Sequence, residues 1–331
     1  DCYQIDSASA KGMALSLKKP VCGPSRVAPV AASPAVAGHR PLTIALAIAA
    51  CFAVPAPARA QPAGAQVIHG AATLVQRGNN LTVTTQNGAG TAHSAINWQS
   101  FNIPTGSTTH FAQPGASSTS INRVVGNDPS AIFGTLSSNG RLVLVNPAGI
   151  AVGAGAVVDT AGFTASTLRM SEADALAGRL RFGDGGLAGS LGVNGQVVAR
   201  SGDVVLIAPN VQTGEQAVVQ SPNGATVIAA GQKVELTGRG LEGIRLELQA
   251  PDNQAVNLGQ IQGDAVGVFA GQLRHSGLIQ ATAVTAEGGK VVLKAQGEAD
   301  VAGRVTAQKA SLGGQIHATA SKVRLRSGAV I

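Results

Sequence analysis

Apolar residues in this chain fall in short runs broken by turn residues. Within the runs they often alternate with polar ones. Leu81-Thr82-Val83-Thr84-Thr85, Ile121-Asn122-Arg123-Val124, Leu142-Val143-Leu144-Val145 and Ile150-Ala151-Val152 carry the pattern most clearly. A period of two puts successive side chains on opposite faces of an extended strand. Asn87-Gly88, Asn139-Gly140 and Asn146-Pro147-Ala148-Gly149 stand at run ends, and such turn residues predict sharp reversals. Asn146 at the first position, Pro147 at the second and Gly149 at the fourth suit a type I turn. One segment departs from the strand pattern. Ser171-Glu172-Ala173-Asp174, an N-cap serine with an acid three residues on, precedes Ala175-Leu176-Ala177 and predicts a short helix. This excursion from the strands is expected to end around Gly183–Gly186.

After about Gly192 the runs repeat a phrase of Gly followed by alternating apolar residues. Gly277-Leu278-Ile279, Gly303-Arg304-Val305 and Gly328-Ala329-Val330 set anchors 26 and then 25 residues apart. A fixed period in this range, with strands and glycine corners but no helix in each repeat, predicts a coil of stacked rungs, a parallel β-helix. Val204, Leu206, Val291, Leu293, Val305 and Ile316 are expected to point inward, with Gln, Arg, Thr and Lys outward. Six of the seven aromatics after residue 60 (Trp98, Phe101, Phe111, Phe133, Phe163 and Phe182) lie between 98 and 182. They are expected to fill the core of an irregular cap. The pattern stops at Ile331 partway through a rung. A bare rung templates further pairing, so the expectation is an N-terminal piece of a longer protein or a truncated gene.

Composition adds the leader. His39-Arg40, the apolar run Pro41–Val54 and the small-x-small site Ala58-Arg59-Ala60 have the form of a secretory signal peptide cleaved before Gln61. Ile48-Ala49-Ala50-Cys51 loosely resembles a lipoprotein box, the alternative being lipidation at Cys51. Met13 is a candidate for the true start. Removing residues 1–60 removes six basic and two acidic residues and takes the formal charge from +7 to +3. The basic balance therefore belongs mostly to the leader and argues little for nucleic-acid binding. All three cysteines lie in the leader. A chain free of disulfide loops suits passage through a narrow pore.

Candidate chemistry is sparse. Gly183-x-Gly185-x-x-Ala188 imitates a dinucleotide fingerprint but neither follows a clear strand nor opens a helix, so it is expected to be loop. His69, His93, His110, His275 and His317 have no metal-ligand spacing. Asp203 and Asp264 follow glycine and are expected at rung corners. No nucleophile, base and orienter come together, so no catalytic residue, metal or cofactor is assigned. The competing reading is a β-helical polysaccharide-active enzyme, a lyase or hydrolase. Such enzymes need clustered acids and aromatic sugar platforms, whereas residues 195–331 hold one aromatic, Phe269.

The ordered phrases Phe111–Ser118, Asn122-Arg123-Val124, Ile132-Phe133-Gly134, Asn139-Gly140-Arg141, Asn146-Pro147-Ala148-Gly149-Ile150 and Ala165-Ser166-Thr167-Leu168 resemble the two-partner-secretion, or haemagglutination activity, domain of filamentous haemagglutinin-like exoproteins. The resemblance implies an all-β fold, a right-handed single-stranded parallel β-helix with an N-terminal cap and a short helical excursion. It implies a dedicated outer-membrane β-barrel transporter as partner, export from a Gram-negative cell through the periplasm, and adhesin-like activity toward a host or neighbouring cell surface. Ala148 stands where the family usually has a second Asn, and Gln113-Pro114-Gly115-Ala116 stands near the place of a second family motif. The division expected is a leader at 1–60, a cap with the secretion core at 61–190 and rungs at 191–331. Asn122, Arg123, Asn146, Pro147, Gly149 and Ile150 are the expected secretion motif. The transporter is expected to pair with extended backbone around Leu81, Val83, Ile121 and Val124.

Overall fold

The computed structural model describes residues 61–331 apart from 184, 186, 249, 284–288, 310 and 311. The signal-peptide and Cys51 readings lie outside the described residues. From Asn80 onward the chain winds through successive rungs, each with strands on up to three faces, and like faces stack as parallel sheets. On the first face Asn80–Gln86 pairs with Thr108–Ala112, then Thr135–Ser138, Val157–Thr160 and Gln196–Ala199 follow in parallel register. On the second, His93–Trp98, Thr119–Val124, Arg141–Val145, Gly162–Ser166 and Val204–Ala208 stack likewise. The third face is an eight-stranded sheet beginning with Ser130–Ile132, Ile150–Val152 and Leu191–Val193. This is the expected parallel β-helix.

Period-two patterning sets the interior. On the first face one inward column runs Leu81, Thr109, Leu136, Val158, Val197, Val219, Ile261, Ile279, Val305, each residue in register with the next. All nine are buried. A column of aliphatic side chains at the spacing of paired strands gives continuous burial without aromatics. Five of the six expected inward residues are buried, and Ile316, near the last rung, is half-buried against the core.

The uniform period does not extend along the coil. Successive residues of the column lie as near as 18 positions (Ile261 to Ile279) and as far as 42 (Val219 to Ile261). The spacing of 26 seen from Ile279 to Val305 belongs to the last rungs. Parallel pairing fixes the strands, while the loops between them are free in length.

The long steps hold two excursions. Ser171 caps helix Glu172–Ala177, its side chain accepting from the Asp174 amide, and Gly178 closes the helix at φ 67°. The helical expectation holds, but the excursion contains more than helix. Leu180–Phe182 pairs antiparallel with Lys233–Leu236, which pairs with Ile244–Leu248. This three-stranded sheet comes from two segments about fifty residues apart in sequence. Helix and sheet contribute Ala175, Phe182 and Val234, with Met170 just before the helix, to a second core with Ile121, Val143, Val205 and Val227. The second face is therefore buried on both sides, which is why its strands read as near-continuous apolar runs.

The N-terminal end is closed by antiparallel strands. Gln66–His69 pairs with His93–Trp98, and Ala71–Arg77 forms a hairpin with Asn80–Gln86. Its turn is Gly78-Asn79, with Gly78 at φ 56°. Asn87-Gly88 does follow the strand end, but the hairpin lies at the other end of that strand. Trp98, Phe101 and Phe111 plug the adjoining rungs, with ring centroids 5.6 Å and 6.3 Å apart. The expectation that all six aromatics fill a cap is corrected. Phe163 is in the coil interior and Phe182 is in the second core. Phe133 is half-buried and lies where a Cβ on Gly153 would stand.

Candidate functional site

The phrases separated in sequence meet at rung corners. Arg123 and Val145 are register partners on adjacent strands of the second face. Pro147 and Ala148 follow after Asn146. Together with Arg169, Glu172 and Leu187 they line an open cleft of about 420 Å³ between the coil and the helical excursion. Leu187 is 97% exposed at its rim.

Asn146 is fully buried and all its polar groups have partners. Its Nδ2 donates to the Asp128 carbonyl at 3.0 Å and to Ser130 Oγ at 2.9 Å, both on the preceding rung. Its Oδ1 accepts from the Ala148 amide at 3.0 Å, and its carbonyl accepts from the Gly149 amide at 3.1 Å. The second bond is the turn bond that the sequence predicts. Pro147 accepts from the Gly189 amide at 2.8 Å on the following rung. Gly149 sits at φ 128°, a region that an L side chain rarely adopts. Ile150 is buried between Ser130 and Leu191. The phrase ties three rungs together through one corner.

Asn122 points inward in a column otherwise aliphatic at its neighbours Ile96 and Leu144. Its Oδ1 accepts from Trp98 Nε1 at 3.0 Å, and its Nδ2 donates to the Ser120 carbonyl at 3.1 Å. Arg123 points the other way. Its Nε donates to the Met170 carbonyl at 3.1 Å, and one terminal nitrogen donates to Asn97 Oδ1 at 2.9 Å and lies 3.6 Å from Glu172 Oε2. One strand thus fastens the core with Asn122 and the excursion with Arg123.

Sequence reasoning placed Gln113 and Asn139 in turn or motif phrases without giving their side chains a role, and did not mention Asn102. Gln113 and Asn139 exchange two bonds. The Gln113 amide donates to Asn139 Oδ1 at 2.7 Å, and Asn139 Nδ2 donates to the Gln113 carbonyl at 2.8 Å. Gln113 Nε2 also donates to the Arg141 carbonyl at 2.8 Å. A Cβ on Gly140 would stand 2.5 Å from the Gln113 side chain, so a larger residue there would push the Gln113 amide off its bonds. Asn102 Oδ1 takes the Ala131 amide. The signal available was that each of these polar residues sits next to a turn phrase. Deeper in the coil Thr213, Asn257 and His275 stack inward on three rungs. His275 Nδ1 accepts from Asn257 and its Nε2 donates to the Arg304 carbonyl at 3.1 Å. Burial pushes the His275 imidazole below its usual range, against the opposing pull of the Arg304 and Asn257 backbone.

The transporter-facing candidates Leu81, Val83, Ile121 and Val124 are all buried. Their strands are paired on both sides. Asp203 is a corner residue, as expected. Its oxygens accept from the Ala225 and Gly240 amides, each at 2.9 Å. The Gly183–Ala188 segment has no helix among its described residues. No group of three or more potential metal ligands occurs among the described residues.

Residues 58–329 match the family model described as the TPS secretion domain. The crystal structure of the HMW1 secretion domain from Haemophilus influenzae superposes with a TM-score of 0.74 at 33% identity, covering 81% of this chain and 72% of that one. A heme/hemopexin-binding protein of Haemophilus influenzae (strain ATCC 51907 / DSM 11121 / KW20 / Rd) is 28% identical over 263 residues, 72% of this chain and 28% of the relative. Another Haemophilus influenzae protein of that name is 37% identical over 78 residues, 24% of this chain and 8% of the relative. The chain thus spans a minor part of both curated relatives.

Proposed function

The chain belongs to the TPS secretion domain family, and from that premise we propose that its N-terminal strands are read by the transporter as extended backbone, and that its motif corners then lock the emerging coil. Two-partner-secretion exoproteins are exported through the periplasm and across the outer membrane to the surface or medium, each with a dedicated transporter. The observation that carries the proposal is the burial of Asn122, Asn146, Gly149, Ile150 and the four strand candidates, with Arg123 and Pro147 half-buried beside them. Asn146 and Asn122 use their side chains inside the coil, and Leu81, Val83, Ile121 and Val124 lie in doubly paired strands. A transporter reaches those groups while the chain is extended. It pairs by β-augmentation, in which backbone bonds supply affinity and alternate side chains supply selectivity. Once outside, Asn146, Pro147, Gly149 and Ile150 join three rungs at one corner, and each rung templates the next.

The segment is a scaffold and not an enzyme in this reading. Buried Asn122 and Asn146 bond from rung to rung, and that supports the assignment. The exported protein is an adhesin toward a host or neighbouring cell. A second reading, capture of haem or a haem-carrying protein, rests on the similarity to the heme/hemopexin-binding proteins. Secretion of Pro-substituted chains by cells co-expressing the transporter tests the main proposal. Val83→Pro and Val124→Pro each remove a backbone donor and are expected to abolish capture of the unfolded chain, with weak dependence on salt. Capture that falls steeply with salt and ignores both substitutions would assign recognition to charge.

A further inference from the structure

The hairpin that closes the N-terminal end has one edge in use and one edge open. Asn80–Gln86 stacks on Thr108–Ala112. Ala71–Arg77, its partner in the hairpin, pairs with no other strand among the described residues, and six of its seven residues are exposed. Leu74 is 39% and Val75 is 43% exposed. Natural edges are usually blunted by charge, proline, a bulge or a covering element. This strand has one charge, Arg77 at its end, and no proline, and its register with Asn80–Gln86 runs unbroken over seven pairs.

The pairing phase tells which amides face outward. The Thr108 amide donates to the Asn79 carbonyl at 2.9 Å. In this parallel ladder Asn79, Leu81 and Val83 therefore turn their backbone groups toward the coil. Asn80, Thr82 and Thr84 turn theirs toward the hairpin partner. Their register partners Arg77, Val75 and Thr73 complete those bonds. Antiparallel strands alternate bonded and non-bonded pairs, so the amides and carbonyls of Ala72, Leu74 and Gln76 point to the open edge.

We propose that the transporter adds an extended strand of its own to this edge, bonding at Ala72, Leu74 and Gln76 with an apolar side chain laid over Leu74. The inference rests on the backbone-pairing reading of the proposed function and gives it a definite strand. Three arguments commit the edge to that occupant. A row of alternating donors and acceptors fits extended backbone, and the near absence of charge fits a partner selected by pairing. The strand precedes every rung, so it leaves the membrane first among the described strands that follow Gly70. The hairpin is also local, with a two-residue turn, and can form while the rest of the chain is unfolded. Alone it is marginal, since three strands are generally needed for stability. A transporter strand supplies the third until Thr108–Ala112 arrives on the opposite edge.

Secretion of the full chain and its capture by the detergent-purified transporter test this. Leu74→Pro removes an amide that faces outward, a position where edge strands accept proline. It is expected to lower capture and secreted yield about tenfold or more, with a melting curve like the parent's after refolding. Leu74→Ala keeps the amide and is expected to be captured within about threefold of the parent. If Leu74→Pro refolds poorly, Ala72→Pro at another outward-facing amide decides instead. Parent-like capture of a refolding outward-facing Pro variant would overturn the inference. So would loss of a concentration-dependent dimer with capture intact, which would give the edge to a second copy. The parent reading fails in a different way, when the parent chain itself shows no capture or Val83→Pro and Val124→Pro have no effect.

Discussion

Trp98 Nε1 donates to Asn122 Oδ1 at 3.0 Å between two neighbouring rungs, and both residues are buried. An indole in an aliphatic stack needs a partner for its N–H, and one inward asparagine supplies it. Asn122→Leu keeps the volume but leaves that donor unsatisfied, at a cost of about 1–3 kcal/mol. Urea unfolding of refolded protein measures it. Adding Trp98→Phe should recover most of the loss, because the second change removes the orphaned donor. No recovery would mean that Asn122 acts through Ser120 instead.

Asn146→Ala should be worse. It strips three side-chain bonds, two of them to the preceding rung. The expected loss is about 2–4 kcal/mol, larger than one bond because the partner groups stay buried. Secretion is expected to fall more than adhesion by the material that does emerge. A melt of refolded protein separates folding from transporter contact: normal stability with failed secretion would assign Asn146 to the transporter. Normal secretion would remove the functional role altogether.

Arg123→Met keeps much of the stem and loses the bonds to the Met170 carbonyl and Asn97. Its ion pair with Glu172 is weak, since that carboxylate is largely exposed. The expected effect is local. Amide exchange should speed up over Glu172–Phe182 while the coil strands keep their protection. Uniform acceleration along the coil would show that the excursion and the rungs unfold as one unit.

His275 gives the coil a pH dependence of defined sign. Burial lowers its pKa in the folded state, so the unfolded chain binds the proton more readily. Its contribution to stability is present above the unfolded value, about 6.5, and is lost as pH falls below it. The slope approaches about 1.4 kcal/mol per pH unit while this group alone titrates. Denaturant midpoints between neutral pH and mild acid should fall in the parent and fall less in His275→Gln. His69 is also lowered, by partial burial and by the stacked His93 ring 4.3 Å away. A His69→Gln background therefore isolates the buried site.

The strand character of the chain, its inward residues and the Asn146 corner were legible in the sequence, because each depends on local chemistry. Alternation fixes which side chains share a face, and Pro147 with Gly149 fixes the turn between two strands whatever lies above or below. The Ser171 cap likewise determines its helix from four neighbouring residues. The resemblance to secretion domains rested on the same local phrases. Only the tertiary structure decided what stacks on what. A parallel ladder sets no loop length, so Val158 meets Val197 across 39 positions, and Val219 meets Ile261 across 42. The regular spacing near the end said nothing about those steps. The pairing of Phe182 with Val234 joins two excursions with no shared sequence signal. It buried Ile121 in a second core that strand alternation alone did not predict. Periodicity assigns a residue to a face, but whether that face meets water depends on chain that arrives from elsewhere.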